Sequence, residues 1–247
     1  MSTIKLIVRY IIGKNAGKII ENRIKKSEKS IKILSPYVSP SLIDLLLEKK
    51  ETVKDIKLIS SAKIDDFRYP KNSILLRKLI LQNRNTDEDA INKRKSLYNF
   101  TVYLTLILII YTLISIVLLA TKNINLFTLT PYVYMISVIL ILFLRKKILS
   151  IRTYTYSYTT PFFIKFINDD ELFLHYKLYI IDNSYAFLGS LNFTRKGLFD
   201  NYESCITIKD EKVVKKLSDY FDYITNISCR QVDISLWGRI IHGEPIN

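Results

Sequence analysis

The residues best suited to chemistry lie in two short segments of the C-terminal half. The first segment contains His175 and Lys177, and the second contains Ser190 and Asn192. Apolar residues surround His175 and Lys177, which predicts a strand over residues 174–182 with both side chains on one face. Ser190 and Asn192 have the same two-residue spacing. The pattern therefore predicts an imidazole, an ammonium, a hydroxyl and an amide on two adjacent strands.

These four groups suit a reaction at a phosphodiester. Attack at phosphorus needs a nucleophile that is neutral near pH 7, an acid for the leaving oxygen and fixed positive charge beside the phosphoryl oxygens. Histidine can act as the nucleophile or as the acid. Lys177 would supply the charge, while Ser190 and Asn192 would donate hydrogen bonds to the non-bridging oxygens. The sequence therefore favours a phosphodiesterase.

The spacing of these residues resembles the signature of the phospholipase D superfamily. That signature is His-x-Lys, four residues, Asp, six residues and Gly-Ser-x-Asn. Every position is matched, by His175, Lys177, Asp182, Gly189, Ser190 and Asn192. Phe193 and Thr194 continue a pattern often seen in the small bacterial endonucleases of the superfamily. The resemblance is weaker over residues 19–62 and 162–223, and it does not include the middle of the chain.

The resemblance implies a role for each matched residue. His175 would form a covalent phosphohistidine intermediate that water or an alcohol then resolves. Glu203 resembles the downstream acidic residue that orients the nucleophilic histidine, although an ordinary surface carboxylate is the alternative. Asp182 follows His175 by an odd number of residues, so we interpret it as a turn residue that faces away from the pocket. Gly189 would let the backbone approach a ligand closely.

No metal or cofactor is expected in this site. His175 supplies the nucleophile that a metal-bound hydroxide would otherwise supply. The sequence also contains no group of carboxylates with the spacing of metal ligands. We therefore expect metal-independent catalysis.

The number of histidines leads to a prediction about the oligomeric state. The mechanism needs one histidine as nucleophile and one as acid, but the sequence contains only His175 and His242. His242 has no lysine two residues later, so the chain carries half of a site. Superfamily members with a single motif complete the pocket as homodimers across a two-fold axis, which is the commonest oligomeric symmetry. We therefore predict a homodimer that joins His175 from both subunits.

Two apolar segments in the middle of the chain predict transmembrane helices. Residues 97–120 and 125–144 contain no charged side chain. Each segment reaches the length of about 20 residues that a bilayer requires. Their connector carries one charge, Lys122, so the pair predicts a transmembrane hairpin.

The charges beside these segments predict their orientation. Residues 93–95 and 145–147 are all Lys or Arg, whereas the connector has a single Lys. The positive-inside rule therefore places the outer ends of both segments, the catalytic domain and both termini in the cytoplasm. No signal peptide is evident, and the two cysteines, Cys205 and Cys229, would be reduced in that compartment.

The remaining residues predict an α/β fold, a phospholipase D-like mixed sheet flanked by helices and interrupted by the two-helix hairpin. Residues 1–92 and 149–247 would form one discontinuous catalytic domain. Ser41 is expected to cap the second helix. The segment after Cys229 yields no prediction. The predicted helices are residues 19–29, 42–50, 74–82 and 213–226, and the further strands are residues 30–37, 53–60, 162–167 and 185–188.

Three functions are compatible with these features. The formal charge of +14 favours anionic partners, either phospholipid headgroups or nucleic acid. The hairpin favours a membrane-anchored enzyme that hydrolyses or transphosphatidylates phospholipids, which is the function we expect. A membrane-tethered DNA or RNA endonuclease is the alternative, favoured by the single motif and the basic charge. A catalytically silent membrane scaffold is disfavoured because no position of the motif is missing.

Overall fold

A computed structural model describes residues 8–62, 68–120, 130–167, 175–226 and 232–244. The chain forms two compact units. The sheet unit contains residues 1–82 and 158–247, and the helical unit contains residues 83–157. The motif of residues 175–192 lies in the sheet unit, whereas the described parts of the two apolar segments belong to the helical unit.

The sheet unit is built around seven strands. The strands among the described residues are β1 Val8–Gly13, β2 Ser30–Leu34, β3 Asp55–Ser61, β4 Leu81–Thr86, β5 Tyr154–Thr159, β6 Phe163–Ile167, β7 Leu178–Ile181, β8 Tyr185–Gly189 and β9 Glu203–Ile208. The large sheet has the order β1-β9-β8-β7-β2-β3-β6, and β4 pairs with β5 in a separate two-stranded sheet. The pairs β2–β3 and β3–β6 are parallel. The pairs β2–β7, β7–β8, β8–β9 and β9–β1 are antiparallel. The predicted mixed sheet is therefore confirmed.

Helices cover both faces of this sheet. In the described ranges the α-helices are α1 Lys18–Lys25, α2 Pro40–Lys49, α3 Ile74–Leu79, α4 Glu88–Ala120, α5 Thr130–Ser150, α6 Glu211–Asn226 and α7 Ile234–His242. On one face, Ile20 of α1, Ile43 of α2 and Leu76 of α3 belong to a core that includes Phe187 of β8. On the other face, Phe221 and its neighbours in α6 pack in a second core. The predicted α/β class is confirmed.

Two lysines, one of them buried, attach α6 to the sheet. Lys32 of β2 is 5% exposed, and its Nζ lies 2.7 Å from a carboxylate oxygen of Asp222. Lys57 contacts the other carboxylate oxygen at 3.2 Å. Burial acts to raise the pKa of Asp222, but the hydrogen bonds from Lys32 and Lys57 outweigh it and hold that pKa below its ordinary value. The two ion pairs thus fix α6 against β2 and β3.

Several predicted boundaries are wrong, and tertiary contacts explain the largest difference. Helix α1 ends at Lys25 rather than residue 29 because the backbone amides of residues 28–30 donate to Asp182 instead of continuing the helix. Helix α2 begins at Pro40, so Ser41 does not cap it. The hydroxyl of Ser39, the residue before this helix, instead accepts the backbone N–H of Arg195 at 3.2 Å.

Two strand and helix ends also differ from expectation. Strand β2 ends at Leu34 rather than residue 37. Helix α3 ends at Leu79 rather than residue 82 because Ile80 is extended and Leu81 already begins β4. The apolar pattern continues through Ile80 and Leu81, so periodicity alone predicted a longer helix. Strand β2 instead ends where Ser35 and Pro36 interrupt the apolar run.

The helical unit consists mainly of two long helices that pack against each other. The rings of Tyr111 in α4 and Tyr134 in α5 meet edge to face at 6.1 Å, and the Tyr134 hydroxyl donates to Thr112. In the described part of the chain, α4 is the one helix that is long and apolar enough to cross a membrane. The predicted second segment, residues 125–144, lies partly outside the described residues, and its described part belongs to α5.

Candidate active site

His175 and Lys177 lie just before β7 and close together. The Nζ of Lys177 is 3.1 Å from Nδ1 and 3.3 Å from Nε2 of His175, and it donates to the His175 carbonyl oxygen at 2.7 Å. The prediction that both residues belong to the strand is wrong, because β7 begins at Leu178. Strand β7 begins there because its neighbour β2 ends at Leu34, which pairs with Leu178. Pro36, two residues further along, has no backbone N–H with which to continue the pairing.

The two side chains differ in their exposure to solvent. His175 is exposed, while Lys177 is 5% exposed. Burial lowers the pKa of the Lys177 ammonium below its ordinary value, and the negative charge of Glu203 acts in the opposite direction. A buried cation thus lies directly beside an imidazole that solvent and substrate can reach.

Ser190 and Glu203 meet where β8 ends and β9 begins. The Ser190 hydroxyl donates to the Glu203 carboxylate, and it accepts the backbone N–H of Ser204 at 3.1 Å. The side chain of Asn201 donates to the other carboxylate oxygen at 3.2 Å. These bonds place Glu203 beside Ser190, while its predicted role in orienting His175 stays a prediction.

Gly189 allows the close approach of β8 and β9 beside Ser190. A Cβ atom at Gly189 would lie 2.1 Å from the carbonyl oxygen of Ser204 and 2.7 Å from the Cα of Cys205. Any larger residue would therefore push β9 away from the motif. The close approach seen here is to the neighbouring strand, while the predicted approach of the Gly189 backbone to a ligand stays a prediction.

Asn192 lies in the loop that follows β8. Its Oδ1 is buried and has no hydrogen-bond partner among the described residues. The loop itself is fixed from several sides: the Tyr179 hydroxyl donates to the Leu191 carbonyl oxygen at 2.7 Å, and the Ser35 hydroxyl accepts the Phe193 N–H at 2.9 Å. The amide of Asn192 is thus held by a rigid backbone.

Asp182 lies in the turn between β7 and β8, at the end of β7 away from His175. Its φ of 55° and the φ of 51° at Asn183 are typical of a tight hairpin turn. Its carboxylate accepts the backbone N–H groups of Glu28, Lys29 and Ser30, with a shortest distance of 2.7 Å to Lys29. In this position Asp182 joins the turn to the start of β2.

Sequence reasoning did not find Ser35 and Tyr179, whose hydroxyls hold the motif loop. Ser35 is buried at the end of β2, and its hydroxyl also donates to the Tyr37 carbonyl oxygen at 2.7 Å. A serine before Pro36 is a turn signal, but it does not reveal a partner more than 150 residues away. Tyr179 has the pattern of a core residue, and burial raises the pKa of its hydroxyl well above the ordinary value.

His242 takes part in packing rather than in the motif. It ends α7, where its Nε2 lies 3.1 Å from the carbonyl oxygen of Ile80 and its ring stacks on Tyr158 at 5.9 Å. No group of three or more His, Cys, Asp or Glu side chains that could hold a metal ion occurs in the described ranges.

Residues 144–225 match the sequence profile of a family described as "Cardiolipin synthase, PLD-like domain". The chain contains a phospholipase D-like domain. The matched range includes all six residues of the motif and Glu203. No curated protein sequence matches the chain.

Several solved structures are similar to this chain. Nuc of Salmonella typhimurium, a phospholipase D family member, has a TM-score of 0.46 and 12% identity over 91% of this chain and 98% of its own. NucT of Helicobacter pylori has a TM-score of 0.46 and 10% identity over 92% and 100%. The phosphatidylserine synthase of Haemophilus influenzae has a TM-score of 0.46 and 12% identity over 96% and 45%.

Proposed function

We propose that the protein is a membrane-anchored phosphodiesterase that hydrolyses or transphosphatidylates phospholipids at His175. The observation that carries this proposal is the pair formed by an exposed imidazole and a buried lysine ammonium 3.1 Å away. This pair lies in a PLD-like domain, at strand ends where Ser190 and Glu203 also meet. A nucleophile, a fixed charge and hydrogen-bond donors are thus available without a metal ion.

The first chemical step is attack by a neutral ring nitrogen of His175 on phosphorus. The P–N bond forms, the P–O bond to the leaving group breaks, and the leaving oxygen takes a proton from a general acid. The Lys177 ammonium lies beside the imidazole and stabilises the negative charge on the phosphoryl oxygens. The Asn192 amide would donate a hydrogen bond to the same oxygens. Ser190 would join it by turning its hydroxyl from the Glu203 carboxylate, to which it donates in the free site, to the phosphate.

The second step resolves the phosphohistidine. Water or an alcohol attacks phosphorus and loses its proton to the group that acted as acid in the first step, while the P–N bond breaks. Attack by water gives hydrolysis, and attack by an alcohol gives a new phosphodiester. His175 is regenerated in both cases.

The general acid comes from a second subunit in this proposal. His242 binds the Ile80 carbonyl oxygen and stacks on Tyr158, so it is engaged in packing. A homodimer with a two-fold axis at the motif would bring His175 of the partner subunit to the leaving oxygen. Each imidazole would then serve as nucleophile or acid in turn.

The helical unit serves as the membrane anchor. Helix α4 is long enough to cross a bilayer, and α5 packs against it through Tyr134. Apolar side chains such as Ile107 and Ile139 are exposed on these helices, which lipid would cover. We propose that both helices span the membrane and that the Lys and Arg residues at their outer ends keep the catalytic domain in the cytoplasm. The domain would then act on headgroups beside its anchor.

The experiment that tests this function follows headgroup release from a panel of labelled phospholipids. Purified protein in mixed micelles with EDTA is compared with the His175→Ala variant. We expect release by the wild type alone and a phosphohistidine that survives in alkaline quench. Release that persists in His175→Ala would refute the mechanism.

A nuclease is the second candidate, supported by the formal charge of +14. Cleavage of single-stranded or duplex DNA or RNA under the same conditions, with no release from any lipid, would select it. The roles of the site residues would be the same for both substrates.

A further inference from the structure

A groove between α4 and α5 lies outside the catalytic motif. We name it the basic groove. It has a volume of about 760 Å³ and belongs entirely to the helical unit. Arg94, Lys95 and Tyr98 of α4 line it, together with Ile141, Arg145 and Ile148 of α5.

The lining of the basic groove combines positive charge with apolar surface. Three cations come from the two helices, and no carboxylate is among the described residues that line it. Isoleucine side chains and the ring of Tyr98 supply most of the remaining wall. A ligand that complements this lining carries a negative charge and an apolar chain in the same molecule.

The basic groove lies at the boundary between charged and apolar sequence. Arg94 is three residues before the uncharged residues 97–120, a rise of about 4.5 Å along a helix. Arg145 directly follows the last uncharged residue of the second segment, Leu144. In a bilayer, such a boundary lies at the level of the headgroups, where lipid phosphates are found.

We propose that the basic groove binds one anionic phospholipid. The headgroup phosphate contacts Arg94, Lys95 and Arg145, and an acyl chain lies along Tyr98 and Ile141. This inference rests on the membrane insertion of the helices given in the proposed function, and it does not depend on the phosphodiesterase reaction. The site would hold the catalytic domain in anionic regions of the membrane.

The chain offers a matched control for this proposal. Six cations lie at the outer ends of the two helices, but only Arg94, Lys95 and Arg145 line the basic groove. The other three are Lys93, Lys146 and Lys147. If the cations served only the orientation of the helices or a general attraction to the membrane, both sets would contribute alike. Specific binding in the groove requires only the first set.

The test compares two triple variants of the full chain, each made together with His175→Ala to prevent turnover. The groove variant is Arg94→Gln, Lys95→Gln and Arg145→Gln, and the control is Lys93→Gln, Lys146→Gln and Lys147→Gln. Both remove three positive charges from the same helix ends. Native mass spectrometry of detergent-purified protein measures the binding of phosphatidylglycerol and of phosphatidylcholine with the same acyl chains.

We expect the parent protein to retain one phosphatidylglycerol in preference to phosphatidylcholine. The groove variant should lose roughly tenfold to hundredfold in affinity, because it removes all three charge-assisted contacts proposed for the headgroup phosphate. The control should stay within about twofold of the parent, because its three cations do not line the basic groove. An equal loss in both variants, or no preference for the anionic lipid, would overturn the proposal.

A separate outcome concerns the membrane itself. If the protein fractionates with the aqueous phase without detergent, both membrane insertion and the basic groove proposal are wrong. The phosphodiesterase proposal would still be tested independently by the headgroup-release assay. The two tests are separate because lipid binding is measured in a protein that lacks His175.

Discussion

Mixing wild-type subunits with His175→Ala subunits tests whether the active site is shared between two chains. Each chain offers one imidazole beside Lys177, while His242 is engaged with Ile80 and Tyr158. If a site needs His175 from both subunits, only dimers of two wild-type chains are active. With random pairing of equal amounts, about one quarter of the dimers would then be active. If each chain carried a complete site of its own, about one half of all sites would be active.

The activity should therefore follow the square of the wild-type fraction. The two proteins carry different affinity tags and are exchanged in mild detergent, and initial rates are plotted against composition at constant total protein. Sequential purification on both tags shows that mixed dimers have formed. Those mixed dimers alone should have less than about one hundredth of the wild-type activity, because the lost histidine supplies either the nucleophile or the acid.

The matched control uses the other histidine. His242→Gln keeps a side-chain donor for the Ile80 carbonyl oxygen, so mixtures with this variant should lose little activity. A linear plot for His175→Ala, with mixed dimers demonstrated, would show that each chain carries a complete site. A fully active monomer in light scattering would refute the shared site as well.

Three further predictions concern single residues of the sheet unit. Because burial lowers the pKa of Lys177, this ammonium should lose its proton at a lower pH than an ordinary lysine. The fall in rate on the alkaline side of the pH profile should therefore begin at a lower pH than an ordinary lysine would give. In Lys177→Arg this fall should move to higher pH. Asp182→Ala removes the acceptor of three backbone N–H groups and should lower the free energy of unfolding by about 1–3 kcal/mol. Urea titration measures this change, and an unchanged urea midpoint would contradict the structural role of Asp182. Gly189→Ala should cost about 1–3 kcal/mol and separate Ser190 from Glu203. In the control Gly238→Ala the added methyl would meet the Tyr158 ring instead, so kcat should fall more in Gly189→Ala, while equal kcat losses would argue against the β8–β9 approach as the cause.

The mixed α/β fold was predictable because its signal is local. A strand buried on both faces, such as β7, is a short continuous apolar run. An amphipathic helix such as α6 repeats its apolar residues with a period of 3.6, which depends only on backbone geometry. The motif could be recognised for a similar reason, since its residues lie within 18 positions of one another in the sequence. The match to a PLD-like domain includes this range.

Tertiary contacts decided what the local pattern could not. Helix α1 ends early because the amides after it bind Asp182, which follows 152 residues after Ser30 in the chain. Ser35 holds the motif loop across a similar distance in sequence.

By itself, the sequence determined the six residues of the motif, the mixed α/β class and the long apolar segment that lies in α4. The neighbours of those residues were decided only by the folded chain: Glu203 meets Ser190 because Gly189 lets β8 and β9 approach, and His242 is taken up by Ile80 and Tyr158. The physical reason is that a hydrogen bond or a steric contact depends on distance in space, and residues far apart in sequence leave no periodic signal of their contact.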